Sequence, residues 1–173
     1  MHEVPVESDR CDHPGAAIVT SAQAPSSADA GASPGILAFD FGERYIGVAV
    51  GDTETRMAHP LERIDAEANV ERFGRIASLI EQWQPSRLVV GLPLGLDGDE
   101  HDMTRRARRF ARQLQGRFGL PVILADERLT SVEAEAQLRE RGRAGRAHKQ
   151  ESHALAAQII LQAWLDTAKG EQA

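Results

Sequence analysis

The sequence predicts an α/β protein: a five-stranded mixed sheet with helices on both faces. Two observations carry this. Three strand-like segments follow one another directly after residue 34, as in an antiparallel meander. Beyond them, helix-like and strand-like segments alternate, which requires crossovers and hence parallel strands with helices on the faces. In such sheets ligands gather outside the carboxyl ends of the strands, so the polar residues at those ends are where chemistry is sought first.

Residues 1–34 read as a disordered tail preceding a single folded domain over 35–169. The stretch AQAPSSADAGASPG is rich in Ala, Ser, Pro and Gly and has no periodicity. The tail carries five acids and one base, a net charge of −4 within a whole-chain charge of −6. Ile36–Phe41 (ILAFDF) is an apolar run with one acid. Tyr45–Val50 (YIGVAV) follows across the turn FGER, giving a hairpin. Arg56–Ile64 is a third, irregular strand in which Pro60 suits a sheet edge. Val70, Phe73, Ile76, Ala77, Ile80 and Trp83 recur at steps of three or four, predicting an amphipathic helix over 68–84 that ends at Pro85. Arg87–Leu92 (RLVVGL) is a buried strand, followed by the turn-rich loop PLGLDGDEHD. Met103–Phe118 is helical, Pro121–Ala125 (PVILA) is the fifth strand, and Ser131–Glu140 is a helix with Thr130 as cap. After a basic linker, Ala154–Ala168 forms the last helix.

Composition narrows the class. Of the residues, 42% are hydrophobic and 27% charged, an ordinary soluble balance. The single Cys, Cys11, excludes an internal disulfide and a thiolate zinc cluster and suits a reducing cytosol. The acidic N-terminus does not read as a signal peptide, and no apolar run is long enough to span a membrane. A cytoplasmic protein without membrane contact is therefore expected. Within this acidic chain, residues 103–149 hold twelve Lys/Arg and five acids. A basic surface beside a carboxylate-lined strand end suits a metal-dependent nuclease; a solvated helix face plus a loop is the alternative.

Three positions could carry the chemistry. Asp40 lies between Phe39 and Phe41 near the end of the first strand, where a lone charge is costly to bury and a metal ion would offset that cost; a turn-forming Asp before Gly42 is the alternative. Asp126 and Glu127 leave the fifth strand pointing in different directions, so only one of them faces a site; capping or dipole pairing at the next helix is the alternative. Arg128 could hold one of these carboxylates or a phosphate. His153 is placed at the opening of the last helix, as metal ligand, proton shuttle or solvated polar residue. Asp97, Asp99, Glu100 and Asp102 form an acidic loop that is a solvated turn, a metal site or a helix cap.

The phrases LAFDFGERYIGVAVGD, VVGLPLGLDGDE, ADERLTSVEA and SHALAAQIILQAWLD resemble the YqgF family of Holliday-junction-resolvase-like nucleases. That family is also implicated in maturing the small-subunit ribosomal RNA precursor. The match runs from about Gly35 to Asp166 and excludes the tail. The resemblance implies a RuvC-like variation on the ribonuclease H fold. It implies a metal-dependent endonuclease acting on the 5′ end of pre-16S rRNA, with branched DNA as a further substrate, in contact with pre-ribosomal particles, as monomer or homodimer. Carried over by motif, Asp40 is the first-strand metal-binding acid, Glu127 the acid of the DER motif with Asp126 as alternative, and His153 stands where the family usually has Asp. The implied cofactor is Mg²⁺ or Mn²⁺; because imidazole favours softer ions than Mg²⁺, the exchange leaves weaker Mg²⁺ binding, a preference for Mn²⁺, or a His153 acting on protons instead. A second departure is that the fourth strand ends Gly91–Leu92–Pro93, without the carboxylate of ribonuclease H proper. Arg128, Arg143, Arg146 and Lys149 are expected to steer the phosphate backbone. Two other readings remain open: a non-catalytic nucleic-acid-binding factor of ribosome assembly, and an ATP-binding fold of the actin and sugar-kinase kind, for which one core of roughly 135 residues is too short.

Overall fold

The computed structural model describes residues 19–20, 35–65, 68–129 and 148–170. The five predicted strands are all present. They are β2 (Gly35–Phe41), β3 (Tyr45–Asp52), β4 (Ala58–Asp65), β5 (Arg87–Leu92) and β6 (Val122–Asp126). A two-residue strand, β1 (Val19–Thr20), joins them in the order β1-β6-β5-β2-β3-β4. The β2–β3–β4 meander is antiparallel, and the remaining pairs are parallel. β1 amends the expectation of a wholly disordered tail: Val19 and Thr20 pair with Ile123 and Leu124. The physical reason is that β6 would otherwise leave its edge open, and β-branched residues fit a pleated edge.

Period-two alternation sorts the strands onto two helical layers. Leu37 and Phe39 of β2, Leu88 and Val90 of β5, and Val122 and Leu124 of β6 join one buried cluster with α1 (Asn69–Trp83) and α2 (Asp102–Phe118). Ile36, Ala38, Val89, Ile123 and Ala125 join the opposite cluster with α3 (His148–Gly170), through Ala157, Ile160, Leu161, Trp164 and Leu165. Helices therefore cover both faces. β4 is the edge that Pro60 suggested, and its pairing slips: Val48 faces Glu62 while Ala49 faces Pro60, so Leu61 is extra.

The α3 face of the sheet mixes large aliphatics with alanine and glycine, and a glycine decides how close the helix comes. A Cβ on Gly47 would lie 1.8 Å from the carbonyl oxygen of His153. Only glycine permits that approach.

Two differences from the sequence reading bear on the site. α3 begins at His148, so His153 lies in its second turn and does not open the helix. The first turn is polar (His148–Ser152), and apolar periodicity starts only after it. The expected helix Ser131–Glu140, with Arg143 and Arg146, lies outside the described residues, as does the side chain of Lys149.

Candidate active site

Asp40 is the penultimate residue of β2 and pairs with Gly47 of β3. Alternation puts its side chain on the α3 face, while its neighbour Phe41 stacks on Phe110 at 4.8 Å on the other. Burial pushes the Asp40 carboxyl up to about 6.

Glu127 reaches the same face from the far side of β5. It opens a 3-10 turn (Glu127–Leu129) straight after β6, continuing the parity of Ile123 and Ala125. Its carboxylate occupies space that Gly91 leaves open: a Cβ there would lie 2.5 Å from Glu127 Oε1 and 2.7 Å from Ile160 Cδ1. The missing side chain of Gly91 thus makes room for the acid that follows the next strand. Burial pushes Glu127 up to about 7, helped by the negative charges of Asp40 and then Asp126. The two acids repel one another and titrate as a coupled pair.

Asp126 has a different role. It accepts hydrogen bonds from Arg128 Nε at 3.0 Å, Nη2 at 2.6 Å and the Arg128 backbone N–H at 2.9 Å. The Arg128 hydrogen bonds hold its carboxyl below the ordinary range. Arg128 is therefore bound first to a carboxylate. Its Nη1 lies 3.3 Å from the Cβ position of Gly98, in the acidic loop. That loop is largely self-satisfied. Asp97 accepts from the Asp99 N–H at 3.2 Å, Glu100 pairs with Arg108 at 2.8 Å, and Asp102 with Arg106 at 2.8 Å.

His153 stacks on Tyr45, ring centroids 5.3 Å apart and tilted by 43°. The Arg63 guanidinium lies 4.2 Å from the centre of the Tyr45 ring and is paired with Asp65. Tyr45 is the diagonal neighbour of Asp40 on the same face. Among the described residues no three His, Cys, Asp or Glu gather closely enough to hold a metal ion. Asp40 and Glu127 converge; His153 does not close a three-ligand set with them. Gly47, Gly91 and Tyr45 were missed as site residues in the sequence, although a glycine inside a strand is itself a sign of close approach.

A mixed sheet with a leading meander, parallel central strands and helices on both faces gives a ribonuclease H-like fold. The family described as RuvX, Holliday junction resolvase, matches residues 35–167, and the chain belongs to it. Three bacterial relatives carry the name "Putative pre-16S rRNA nuclease". The one from Methylobacillus flagellatus is 56% identical over 131 residues, covering 76% of this chain and 90% of the relative. The one from Dechloromonas aromatica is 54% identical over 132 residues, with the same coverage. The Bordetella pertussis relative is 53% identical over 132 residues, covering 76% of this chain and 93% of its own. Among solved structures, Thermus thermophilus RuvC in complex with a Holliday junction substrate superposes with a TM-score of 0.52 at 17% identity. It covers 80% of this chain and 96% of its own, a likeness of fold. No helix among the described residues is long and apolar enough to cross a membrane.

Proposed function

We propose that this protein is a metal-dependent endonuclease that hydrolyses phosphodiester bonds in structured nucleic acid. Its work is the maturation of the 5′ end of pre-16S rRNA in the cytoplasm, in contact with pre-ribosomal particles. The observation that carries the reading is the Asp40–Glu127 pair. Two half-buried carboxyls share one face at the carboxyl ends of the strands, and desolvation pushes both well above their ordinary range. Asp126, by contrast, is committed to an ion pair with Arg128. Oxygen donors crowded in this way fit a hard divalent cation, Mg²⁺ or Mn²⁺.

Asp40 and Glu127 would hold the cation. When bound, it supplies a nucleophilic water at neutral pH and charge stabilisation at the scissile phosphate. The chain's own residues do the rest. Asp40 and Glu127 must shed their protons before they bind, and burial beside Ile160 limits competing water. Gly91 and Gly47 keep the two carboxylates and α3 at close range. His153, held against Tyr45, handles protons at the rim or contributes further ligation. Arg128 braces the acidic loop against Asp126 and, with Arg143, Arg146 and Lys149, steers the backbone.

A second reading, a non-catalytic assembly factor, is favoured by one observation: only two carboxylates converge among the described residues. One experiment separates them. Precursor rRNA and a four-way DNA junction are offered side by side with Mg²⁺ or Mn²⁺, to the parent and to folded Asp40→Asn. Metal-dependent cleavage lost in the variant supports the nuclease; binding without cleavage by the parent supports the assembly factor.

A further inference from the structure

The proposed nuclease site uses one side of the sheet, yet the most basic of the described elements lies on the other. Residues 103–118 of α2 include six arginines and no acid. α2 buries Thr104, Ala107, Phe110, Ala111 and Leu114. Arg105, Arg109 and Arg112 fall on the opposite, exposed side at i, i+4 and i+7, a stripe about 10 Å long. The nearby acids are already engaged. Glu43 and Asp102 pair with Arg106, Glu100 pairs with Arg108, and Asp102 reaches Arg105 only at 3.4 Å. Arg109 and Arg112 have no carboxylate partner among the described residues.

This arrangement is unlike a salt-bridged solvent face, where opposite charges alternate at i, i+4. Three guanidinium groups at this spacing repel one another unless an external anion with a similar repeat lies along them. α2 leaves the loop at the carboxyl end of β5, so Arg105 sits at the same end of the sheet as Asp40 and Glu127, and the stripe runs away from it. Asp40 and Glu127 open on the α3 face, with the sheet between them and the stripe. With the sheet between them, the stripe and the acids are placed to meet different segments of one nucleic acid.

We propose that Arg105, Arg109 and Arg112 form a second phosphate-binding surface that takes the backbone of another arm of the nucleic acid whose scissile strand lies at Asp40 and Glu127. The proposal rests on the nuclease reading for its substrate but is tested by binding alone. The full chain carrying Asp40→Asn, which leaves the nucleic acid intact, is titrated with a fluorescent four-way DNA junction and with a linear duplex of equal arm length. Adding Arg109→Gln and Arg112→Gln should weaken junction binding and leave the linear duplex unchanged. The salt slope on the junction should fall by about two, so that between about 50 and 200 mM salt the Asp40→Asn protein loses roughly tenfold more affinity than the triple variant. Arg109→Lys with Arg112→Lys should bind the junction like the Asp40→Asn protein. An unchanged junction affinity and slope, an equal loss on both probes, or no junction preference before the arginines are changed would each overturn the second surface. Failure of the original chain to cleave would sink the catalytic reading and leave this result standing.

Discussion

An ionised carboxylate at the end of a buried strand is destabilising unless something compensates it, and Asp40 and Glu127 are two such groups on one face. This makes Asp40→Asn a two-sided test. The variant should lose cleavage by more than the roughly 100-fold that removal of an outer-shell partner costs a metal site. Without metal at pH 7.5 it should also melt higher than the parent, by about 2–4 °C for each kcal/mol of relieved repulsion and desolvation. Calorimetry and single-turnover cleavage on the same preparations check both halves. A variant that melts lower would mean Asp40 holds the fold together. The same pair places the acid limb of activity. Its carboxyls lie at about 6 and about 7, so cation binding and cleavage should fade as the pH drops through that range. His153→Gln should keep that limb while lowering the rate, because the carboxyls set it. Loss of the limb in His153→Gln, read from rates across about pH 5–8, would assign it to the imidazole.

At the scale of elements, two glycines determine what the strands can present. Gly47 lets the His153 carbonyl rest on β3, and Gly91 leaves the cavity that Glu127 fills. Gly47→Ala must push α3 off a packed face and should cost about 1–3 kcal/mol or more in stability, measured by urea unfolding. Gly91→Ala meets the far end of a side chain, so it should cost less stability but move the Glu127 carboxylate. Metal affinity, read by calorimetry, should drop more in Gly91→Ala than in Gly47→Ala. The reverse order would show that α3 and not Glu127 governs the site. These consequences were only half visible in the sequence. The period-two pattern of β2 and β5 and the three-to-four spacing of α1 reveal the elements, because burial imposes those periods. The polar first turn of α3 hides its start, and nothing local to Gly91 shows that the space above it belongs to an acid 36 residues later.

For the whole molecule, the carboxyl pair links stability to pH. Both folded-state values lie above the ordinary ones of 3.8 and 4.5. The folded protein therefore binds protons more tightly than the unfolded chain. The resulting stability is fully present below about pH 4 and is lost as pH rises through about 6 and 7. The metal-free protein should lose this contribution between about pH 4 and 7, and Mg²⁺ or Mn²⁺ should restore it most strongly above pH 7, where the pair is ionised. Melting curves with and without each ion at pH 5 and 7.5 test this. A metal-induced shift that is equal at both pH values would place the ion elsewhere.

The sequence by itself determined the layers, the meander followed by parallel strands, Asp40 at its strand end and the acid doublet after the fifth strand. Each follows from local periodicity or from short motifs. The motif favours Glu127 of the doublet and keeps Asp126 as an alternative; how differently the two are surrounded was visible only in the tertiary structure. Asp126 and Glu127 are adjacent in the chain, and their fates part only because one meets Arg128 while the other turns over Gly91 toward Asp40. The position of His153 against Tyr45, and of the α2 arginines across the sheet from the acids, was settled the same way. A chain's own pattern specifies which face a residue takes, but what waits on that face comes from segments far away in sequence.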